Sequence, residues 1–342
     1  MLDRRILAIV LLMLSGTRLM AAGEDSLRAT YIHKYSNHLY LAPLFKQQNF
    51  DFDVTSPNDP DLNYLFKANT SVSLGAAVSI FDVNFEAAFS TSLNTKDESI
   101  YGSSDARDLQ VRVIGKQWIA DLFSQNYQGF YLEASNQTIP SGQPLPQRPD
   151  MLTKNFGLSF AYAFNHNQFS LRAPYIFTER QKVSKGSWLV GYTFSSFTLS
   201  ADSSFVPQSE WSTWGKGATI EKARFTSLGF APGYTHTFVY NKFFLNLLLV
   251  FGPAHYWVRY TEQEDKVTDD IRVDFYSGGR VGLGYSGDKF FGGVNLSTQT
   301  KNVNFDESRF RNNTSVFRIV AGMRLREIGI LKKGAIDILK GK

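Results

Sequence analysis

The chain has 342 residues and no cysteine, carries a formal net charge of +5, and is 15% aromatic and 20% charged. The lack of cysteine excludes disulfides, thiolate metal sites and a lipoprotein anchor. A mild positive charge spread along the chain does not indicate a nucleic-acid partner. No segment after the N-terminus reaches the roughly 18 consecutive apolar residues of a transmembrane helix. Two architectures remain: a soluble all-β protein or an outer-membrane β-barrel.

Residues 1–23 are predicted to be a secretory signal peptide. Two arginines precede a short apolar run, residues 6–14, and small residues follow it. The alternative is a transmembrane anchor, but so short a run cannot cross a bilayer core of roughly 30 Å. Cleavage near residue 23 removes three arginines and one aspartate, which lowers the formal charge from +5 to +3. Residues 24–37 then form a periplasmic N-terminal segment, for which a role as a plug is also open.

Large apolar residues alternate with small or polar ones along most of the remaining chain. Alternation with period two predicts β-strands, about fourteen of them, with twelve also possible. These segments lie near residues 38–54, 68–79, 81–90, 107–116, 118–134, 154–165, 168–178, 187–194, 197–205, 225–240, 243–260, 271–285, 289–301 and 315–325.

Residues 155–178 are predicted to be a representative β-hairpin of this set. The turn is predicted at Asn165–Asn167, on the periplasmic side. One face carries large residues that are expected to meet lipid: Phe160, Tyr162, Phe169 and Tyr175. Arg172 lies on the opposite face and is therefore expected to point into the lumen.

The connections between the segments alternate between short turns and long polar loops. Long stretches such as 179–186 and 206–222 are predicted extracellular loops. This alternation is typical of outer-membrane barrels and is not expected of a Greek-key sandwich. The short turns are predicted near Ile80, Gly115–Gln117, Asn165–Asn167, Ser195–Ser196, Tyr240–Lys242 and Ser286–Lys289.

The predicted fold is therefore all-β: a transmembrane antiparallel up-and-down β-barrel over residues 38–325, with both termini periplasmic. A soluble sandwich would have to cover the large apolar face of every strand, and no helical segment able to do so occurs before residue 326. Residues 326–342 form a basic periplasmic tail whose apolar residues recur at helical spacing. A short amphipathic helix on the membrane surface and a docked tail are both open for it.

Four stretches resemble an uncharacterised family of Bacteroidetes outer-membrane proteins, known as domain of unknown function 4421. They are YAFNHNQFSLRA at 162–173, ERQKVSKGS at 179–187, GKQWIADLFSQNYQGFY at 115–131 and AGMRL at 321–325. The resemblance spans most of the chain that remains after the signal peptide. It implies an integral outer-membrane protein and supplies no chemistry, because the family has no assigned activity.

The sequence offers no clear catalytic or metal-binding pattern. The five histidines show no spacing typical of metal ligands, and there is no G-x-S-x-G motif. His236 and His255 are predicted to join aromatic girdles at the membrane surface. The nearest candidate nucleophiles are Ser184 and Ser187 beside Glu179, in a predicted extracellular loop. We predict that the protein is not an enzyme and binds no cofactor or metal.

The inward charges are the most informative candidate site residues. A mixed set is typical of salt-bridged lumen packing; the alternative is a constriction that selects solutes by charge. Because the first and last strands pair in a barrel, early acids and late arginines are hypothesised to form opposite walls with a transverse field. The predicted lumen-facing charges are Asp82, Glu86, Arg112, Asp121, Arg172, Asp202, Arg272, Asp274, Arg280, Arg318 and Arg324.

The predicted function is an integral protein of the Gram-negative outer membrane, either a narrow porin-like passive channel or a structural envelope protein. A plugged barrel that serves as a binding or assembly component for another envelope protein is the first alternative. A lipid-modifying outer-membrane enzyme is the second. The expected partners are outer-membrane lipid, the barrel-assembly machinery during insertion, and small solutes or envelope proteins, but not nucleic acid.

Overall fold

The structure is a computed structural model that describes most of the chain outside its two ends. The predicted signal peptide, apart from residues 22 and 23, and the predicted tail from residue 327 onward lie outside the described residues. The described ranges are 22–35, 38–56, 58–70, 72–80, 83–90, 97–134, 139–140, 142–263, 266–305 and 308–326.

Long antiparallel strands dominate the described residues. The wall strands are β2 (His38–Thr55), β3 (Asn63–Lys67), β4 (Ser73–Ile80), β5 (Val83–Ser90), β6 (Asp105–Ile114), β7 (Trp118–Ala134), β8 (Gln147–Ala163), β10 (Lys185–Ser200), β11 (Ile220–Tyr240), β12 (Phe243–Glu262), β13 (Val267–Ser286), β14 (Phe290–Phe305) and β15 (Ser308–Arg326). The remaining elements are short: α1 (Ala22–Tyr31), β1 (Ile32–Lys34), α2 (Glu98–Tyr101), α3 (Arg172–Ile176), β9 (Glu179–Gln181), a 3-10 helix (Gln208–Glu210) and α4 (Trp211–Trp214). None of these helices is long and apolar enough to cross a membrane.

The wall strands form one closed antiparallel sheet, because the last strand, β15, pairs with the first, β2. One path around the sheet runs from β7 through β3 to β2 and gives a ring of ten strands. β3 pairs with one end of β2, and β4 pairs with its other end. At the β4 end of the barrel, β4, β5 and β6 connect β2 to β7 in place of β3, so that twelve strands close the ring there. The prediction of a closed barrel is confirmed, but the count of about fourteen strands is wrong.

The two ends of the barrel differ in their connections. At the turn end, the sequence correctly locates the short turns at Gly115–Gln117, Tyr240–Lys242 and Ser286–Lys289, and β4 and β5 pair up to Ile80 and Val83. Most of the longer connections lie at the opposite, loop end, but the connection between β8 and β10, residues 164–184, lies at the turn end. β2 begins and β15 ends at the turn end, where His38 pairs with Arg326.

Large apolar side chains cover the outside of the wall. Trp188, Leu249 and Val273 have relative exposures of 67%, 72% and 69% in the isolated chain. Exposed aromatic residues at the turn end include Phe164, Trp188, Tyr240, Phe243 and Phe290. A contiguous apolar belt with aromatic residues at its edge is the surface that an outer-membrane barrel presents to lipid.

At the loop end the large side chains change sides and fill the interior. Along β10, Tyr192 and Phe194 point outward, whereas Phe197 and Leu199 point inward and are buried. Phe50 stacks on Tyr127 with ring centroids 4.8 Å apart. We call this buried cluster the aromatic layer; its rings include Phe50, Phe52, Phe66, Tyr127, Phe130, Phe197, Phe225, Phe305 and Phe310. Trp214, from the loop after β10, is fully buried against it.

This change of side explains one wrong prediction. Ser195–Ser196 was expected to be a turn between two strands, but β10 runs through it without interruption. The large residues fall on even-numbered positions before it and on odd-numbered positions after it. A tight turn and a change of environment produce the same break in the pattern, and here the environment changes.

Candidate functional site

The second half of the predicted hairpin lies inside the barrel. After β8 and a turn at residues 164–168, residues 169–179 are all buried and include the short helix α3. Phe169 and Tyr175, which were expected to meet lipid, are 0% and 3% exposed. Pro174 lacks a backbone N–H and so cannot take part fully in a strand ladder. The predicted strand at 168–178 is therefore wrong, and we call residues 169–182 the plug.

The N-terminal segment completes the plug from the turn end. β1 pairs with β9 in a separate two-stranded sheet, so that Ile32 lies opposite Gln181. The Lys182 backbone N–H also donates to the Tyr31 carbonyl at 2.8 Å. The described part of this segment, residues 24–35, thus packs against the plug at the turn end, and its own role as a plug stays a prediction. This packing also means that residues 179–186, predicted to be an extracellular loop, lie at the turn end.

A buried ionic cluster joins the N-terminal segment to the plug. The Arg28 guanidinium donates to the Glu179 carboxylate at 2.6 Å, and the Arg172 guanidinium lies 3.7 Å from the same carboxylate. The Ser170 hydroxyl donates to it at 2.5 Å. Arg172 also donates to the Ile114 carbonyl of the wall at 3.1 Å. Two buried cations thus surround one anion. Glu179 is the acidic partner of Arg172, which the sequence alone does not identify.

Arg324 fastens the plug to the wall at the turn end. Its guanidinium donates to the Phe177 carbonyl at 2.7 Å and to the Ser286 hydroxyl at 2.9 Å. It also lies over the Tyr35 ring, 3.9 Å from the centroid. These contacts reach the plug, the N-terminal segment and the wall at once. Arg324, predicted to face the lumen, is therefore a docking residue.

Asp288 makes a second link at the turn end. Its carboxylate accepts from Lys242 and Arg180, each at 2.9 Å. The hydrogen bond from Lys242, with support from Arg180, holds the pKa of the Asp288 carboxyl below its ordinary value. Because Arg180 belongs to the plug and Lys242 to a wall turn, this carboxylate connects the two.

A polar chamber of about 100 Å³ lies between the plug and the aromatic layer. In a polar cavity, this is room for several water molecules. Among the described residues, five basic and two acidic side chains line it: Lys46, Arg112, Arg280, Lys301, Arg318, Asp108 and Asp121. Tyr175 of the plug forms part of its floor.

Two ion pairs account for both acids in the chamber. Arg112 contacts Asp121 at 2.5 Å, and the Lys46 ammonium lies 3.7 Å from Asp108. Two of the other cations contact uncharged groups. The Arg280 guanidinium lies 4.4 Å from the centroid of the Tyr175 ring, and Lys301 donates to the Ser195 hydroxyl at 2.6 Å.

The predicted lumen charges separate into several groups. The chamber brings together Arg112, Asp121, Arg280 and Arg318. Arg272 and Asp274 lie near the loop end of β13, where Arg272 contacts Asp270 and Asp274 accepts from Asn304. Asp202 lies exposed in the loop after β10, so its prediction as a lumen residue is wrong. Asp82 and the side chain of Glu86 lie outside the described residues, and the transverse field that involves them stays a prediction.

Three charged residues of the chamber are absent from the predicted lumen charges: Lys46, Lys301 and Asp108. Lys46 lies two residues after Leu44, which is also buried on the inner face of β2. Lys301 follows Ser297 and Gln299 on the inner face of β14. The strand alternation therefore contains the signal for both lysines.

The candidate nucleophiles do not meet in one site. The Ser184 hydroxyl accepts from the Val239 N–H at 2.8 Å, and the Ser187 hydroxyl accepts from the Asn165 N–H at 2.9 Å. Glu179 is buried with Arg28 and Arg172 instead. Among the described residues, no group of three or more His, Asp or Glu side chains is placed to hold a metal ion.

The closed antiparallel sheet, the apolar outer belt and the filled interior define an outer-membrane β-barrel with a plug. The chain belongs to the family described as "Domain of unknown function (DUF4421)", whose model matches residues 24–324. This result confirms the resemblance that the sequence shows.

Solved barrel structures are similar to this chain only at a low level. The outer membrane protease OmpT from Escherichia coli is 9% identical, with 85% of this chain and 98% of that chain covered and a TM-score of 0.42. The toluene transporter TodX of P. putida is 10% identical, with 85% of this chain and 90% of that chain covered and a TM-score of 0.26. Ail, the attachment invasion locus protein of Yersinia pestis, is 10% identical, covers 84% and 99%, and has a TM-score of 0.23. No curated protein matches the chain, and these likenesses carry no inference about activity.

Proposed function

We propose that this protein is a closed, plugged barrel that serves as a binding or structural component of the outer membrane, and that it is not a passive channel. Its turn end, where β2 begins and β15 ends, faces the periplasm, and outer-membrane lipid surrounds its apolar belt. The observation that carries the proposal is the docked plug. Residues 169–179 are buried inside the barrel, and Glu179 and Arg324 tie them to the N-terminal segment and the wall.

A second barrier supports the same proposal. The aromatic layer fills the interior at the loop end with stacked rings, and Trp214 closes over it. An ion that passes through the barrel would have to cross both the plug and this layer. Desolvating an ion in an apolar layer costs many kcal/mol, so either barrier alone would suppress conductance.

Planar-bilayer recording of the refolded full chain tests the proposal. Insertion is first verified by membrane fractionation and by the shift between heated and unheated samples on a gel. The expected result is insertion without steady conductance. Steady, ion-selective conductance of the unmodified protein would overturn the proposal and would favour the narrow passive channel.

We also propose that the protein is not an enzyme. The hydroxyls of Ser184 and Ser187 accept hydrogen bonds from backbone N–H groups, whereas an activated nucleophile requires a neighbouring base. Incubation with labelled phospholipid and lipopolysaccharide tests this part. Turnover above that of the heat-denatured protein would overturn it.

A further inference from the structure

A second cavity, of about 110 Å³, lies between the plug and the wall strands β8 and β10–β13. Leu171 and Tyr175 of the plug line one side of it. Its polar lining, which includes Asp121, Arg280 and Gln299, is largely shared with the polar chamber, so the two cavities adjoin at that end. We call it the side cavity; small and apolar residues form the rest of its lining, among them Ala161, Leu189, Gly191, Ala231, Leu248 and Val250.

The wall beside the side cavity contains an interruption in strand pairing. The paired residues of β11 and β12 stop at Gly229–Ala254 and resume at Gly233–Val250 in the same register. Positions 230–232 and 251–253, all of them described, form no pairs with each other, and we call this stretch the seam. Both strands stay paired with their other neighbours, β10 and β13, along the seam. The interruption is therefore local to the contact between β11 and β12.

Two prolines explain the interruption. Pro232 and Pro253 lie on the two facing strands of the seam and have no backbone N–H to donate. In lipid, no water replaces a backbone hydrogen bond that is lost in this way. The seam is closed in the structure, since a side chain at Gly252 would collide with the Phe230 carbonyl. It is nevertheless the part of the β11–β12 contact that separates at the lowest cost.

The seam faces lipid on one side and the side cavity on the other. On the outside, Phe230 and Phe251 are 43% and 58% exposed within the apolar belt. On the inside, Ala231 in the middle of the seam and Val250 at its edge line the side cavity. Separation of β11 from β12 at this point would therefore connect the membrane with a cavity inside the barrel.

We propose that the side cavity binds a small apolar molecule, no larger than a benzene ring or a short alkyl chain, which enters from the membrane through the seam. A cavity of about 150 Å³ with apolar walls binds benzene or xenon, and the side cavity approaches this size. Poorly ordered water against such walls is replaced by an apolar group with a gain in affinity. The site deepens the proposed binding role and rests on the plugged state, because the docked plug forms one of its sides.

Fluorine NMR of fluorobenzene with the full chain in lipid nanodiscs tests the site. Empty nanodiscs are the reference, because the probe also dissolves in lipid. We expect a separate, saturable signal from probe bound to the protein, which xenon displaces.

Ala161→Leu is the diagnostic variant for binding, since it adds an isopropyl group to the side cavity from β8, outside the seam. The bound signal should disappear. Ala321→Leu is the matched control, because Ala321 lies exposed on β15, and its signal should equal that of the unmodified protein. Leu248→Ala enlarges the side cavity and should admit a larger ring such as fluoronaphthalene, which keeps the test decisive if Ala161→Leu fails to fold.

The double substitution Pro232→Ala and Pro253→Ala tests entry through the seam, because it restores both missing N–H donors. Exchange of the probe between lipid and the protein should slow by roughly tenfold, with little change in affinity. Pro43→Ala is the matched control, since Pro43 interrupts the pairing of β2 with β15, away from the side cavity. Its exchange rate should equal that of the unmodified protein.

Three results would overturn the inference. Absence of a saturable bound signal refutes the site, and so do equal signals in the Ala161→Leu and Ala321→Leu variants. Equal exchange rates in the double proline variant and in Pro43→Ala refute entry through the seam. These results are separate from the conductance test: a silent barrel that binds no probe refutes only this site, whereas a conducting barrel refutes the plugged state.

Discussion

Replacement of Glu179 by alanine should release the plug. The Glu179 carboxylate is shared by Arg28 at 2.6 Å and Arg172 at 3.7 Å, and it accepts the Ser170 hydroxyl at 2.5 Å. Removal of one partner from a buried ion pair costs about 3–5 kcal/mol, because the remaining charge stays buried without compensation. Release of the plug hydrates both arginines. The substitution therefore destabilises the docked state of the plug relative to the released state, and the wall strands stay folded.

A cysteine reporter measures this effect directly, because the chain contains no other cysteine. Ala173 lies in the plug and is 4% exposed, so a thiol in an Ala173→Cys background reacts with maleimide only when the plug opens. Each 1.4 kcal/mol corresponds to a factor of ten in the open population. Adding Glu179→Ala should raise the labelling rate by about a hundredfold or more. Bilayer conductance should stay absent, because the aromatic layer still closes the loop end.

Asp269→Ala in the same reporter background is the matched control. Its carboxylate pairs with Arg259 at 2.7 Å, but both side chains are more than 60% exposed. Exposed ion pairs contribute about 0–1 kcal/mol, so labelling should change by less than roughly fivefold. Equal labelling rates in the Glu179→Ala and Asp269→Ala variants would refute the role assigned to the buried cluster. Retention of the heat-modifiable gel shift verifies that the wall is folded in both.

Three further predictions address pH, reactivity and lipid contact. The pKa of His33 is lowered, first by burial and then by Arg180, and the pKa of the Asp288 carboxyl is lowered by its hydrogen bonds. Protonation of either group therefore destabilises the folded state: stability is complete above the ordinary pKa values, 6.5 for His33 and 3.8 for Asp288, and is lost as the pH falls, at His33 first. The thermal unfolding midpoint should fall on acidification, and Asp288→Asn should flatten the low-pH part of the curve of midpoint against pH. Ser195 should resist a fluorophosphonate probe, despite its 2.6 Å contact with Lys301, because it is 1% exposed; labelling in the folded state would reopen the enzyme alternative. Leu249→Arg, at a site 72% exposed in the belt, should destabilise the inserted barrel by up to about 2–4 kcal/mol, as measured by unfolding in bilayers.

The general fold could be predicted because the wall follows simple periodicity. Along β13, Val273, Phe275 and Val281 point outward as expected. The turns that precede its neighbours β12 and β14, Tyr240–Lys242 and Ser286–Lys289, lie where the sequence places them. Alternation reports which side a residue faces. It does not report what lies on that side.

The plug escaped prediction for that reason. Residues 168–178 alternate as a strand does, but Phe169, Leu171 and Ile176 pack in an apolar cluster inside the barrel. A segment inside it is buried on every side and needs no outward polar face. Pro174, in the middle of the predicted strand, was the available signal, since proline is normally confined to edges and bulges of sheets.

The charge pairs show how far register can be inferred from sequence. In a hairpin, the positions of paired residues add to a constant that the turn fixes. A turn centred on the predicted residues 115–117 places Arg112 opposite Ala120, one residue from Asp121, its partner in the structure. The pairing of Lys46 with Arg318 follows no turn, because it arises where β2 and β15 close the barrel. That register depends on the number of strands and on their stagger around the ring. A cavity that needs both this closure and the docked plug, as the polar chamber does, is visible only once the three-dimensional structure is known.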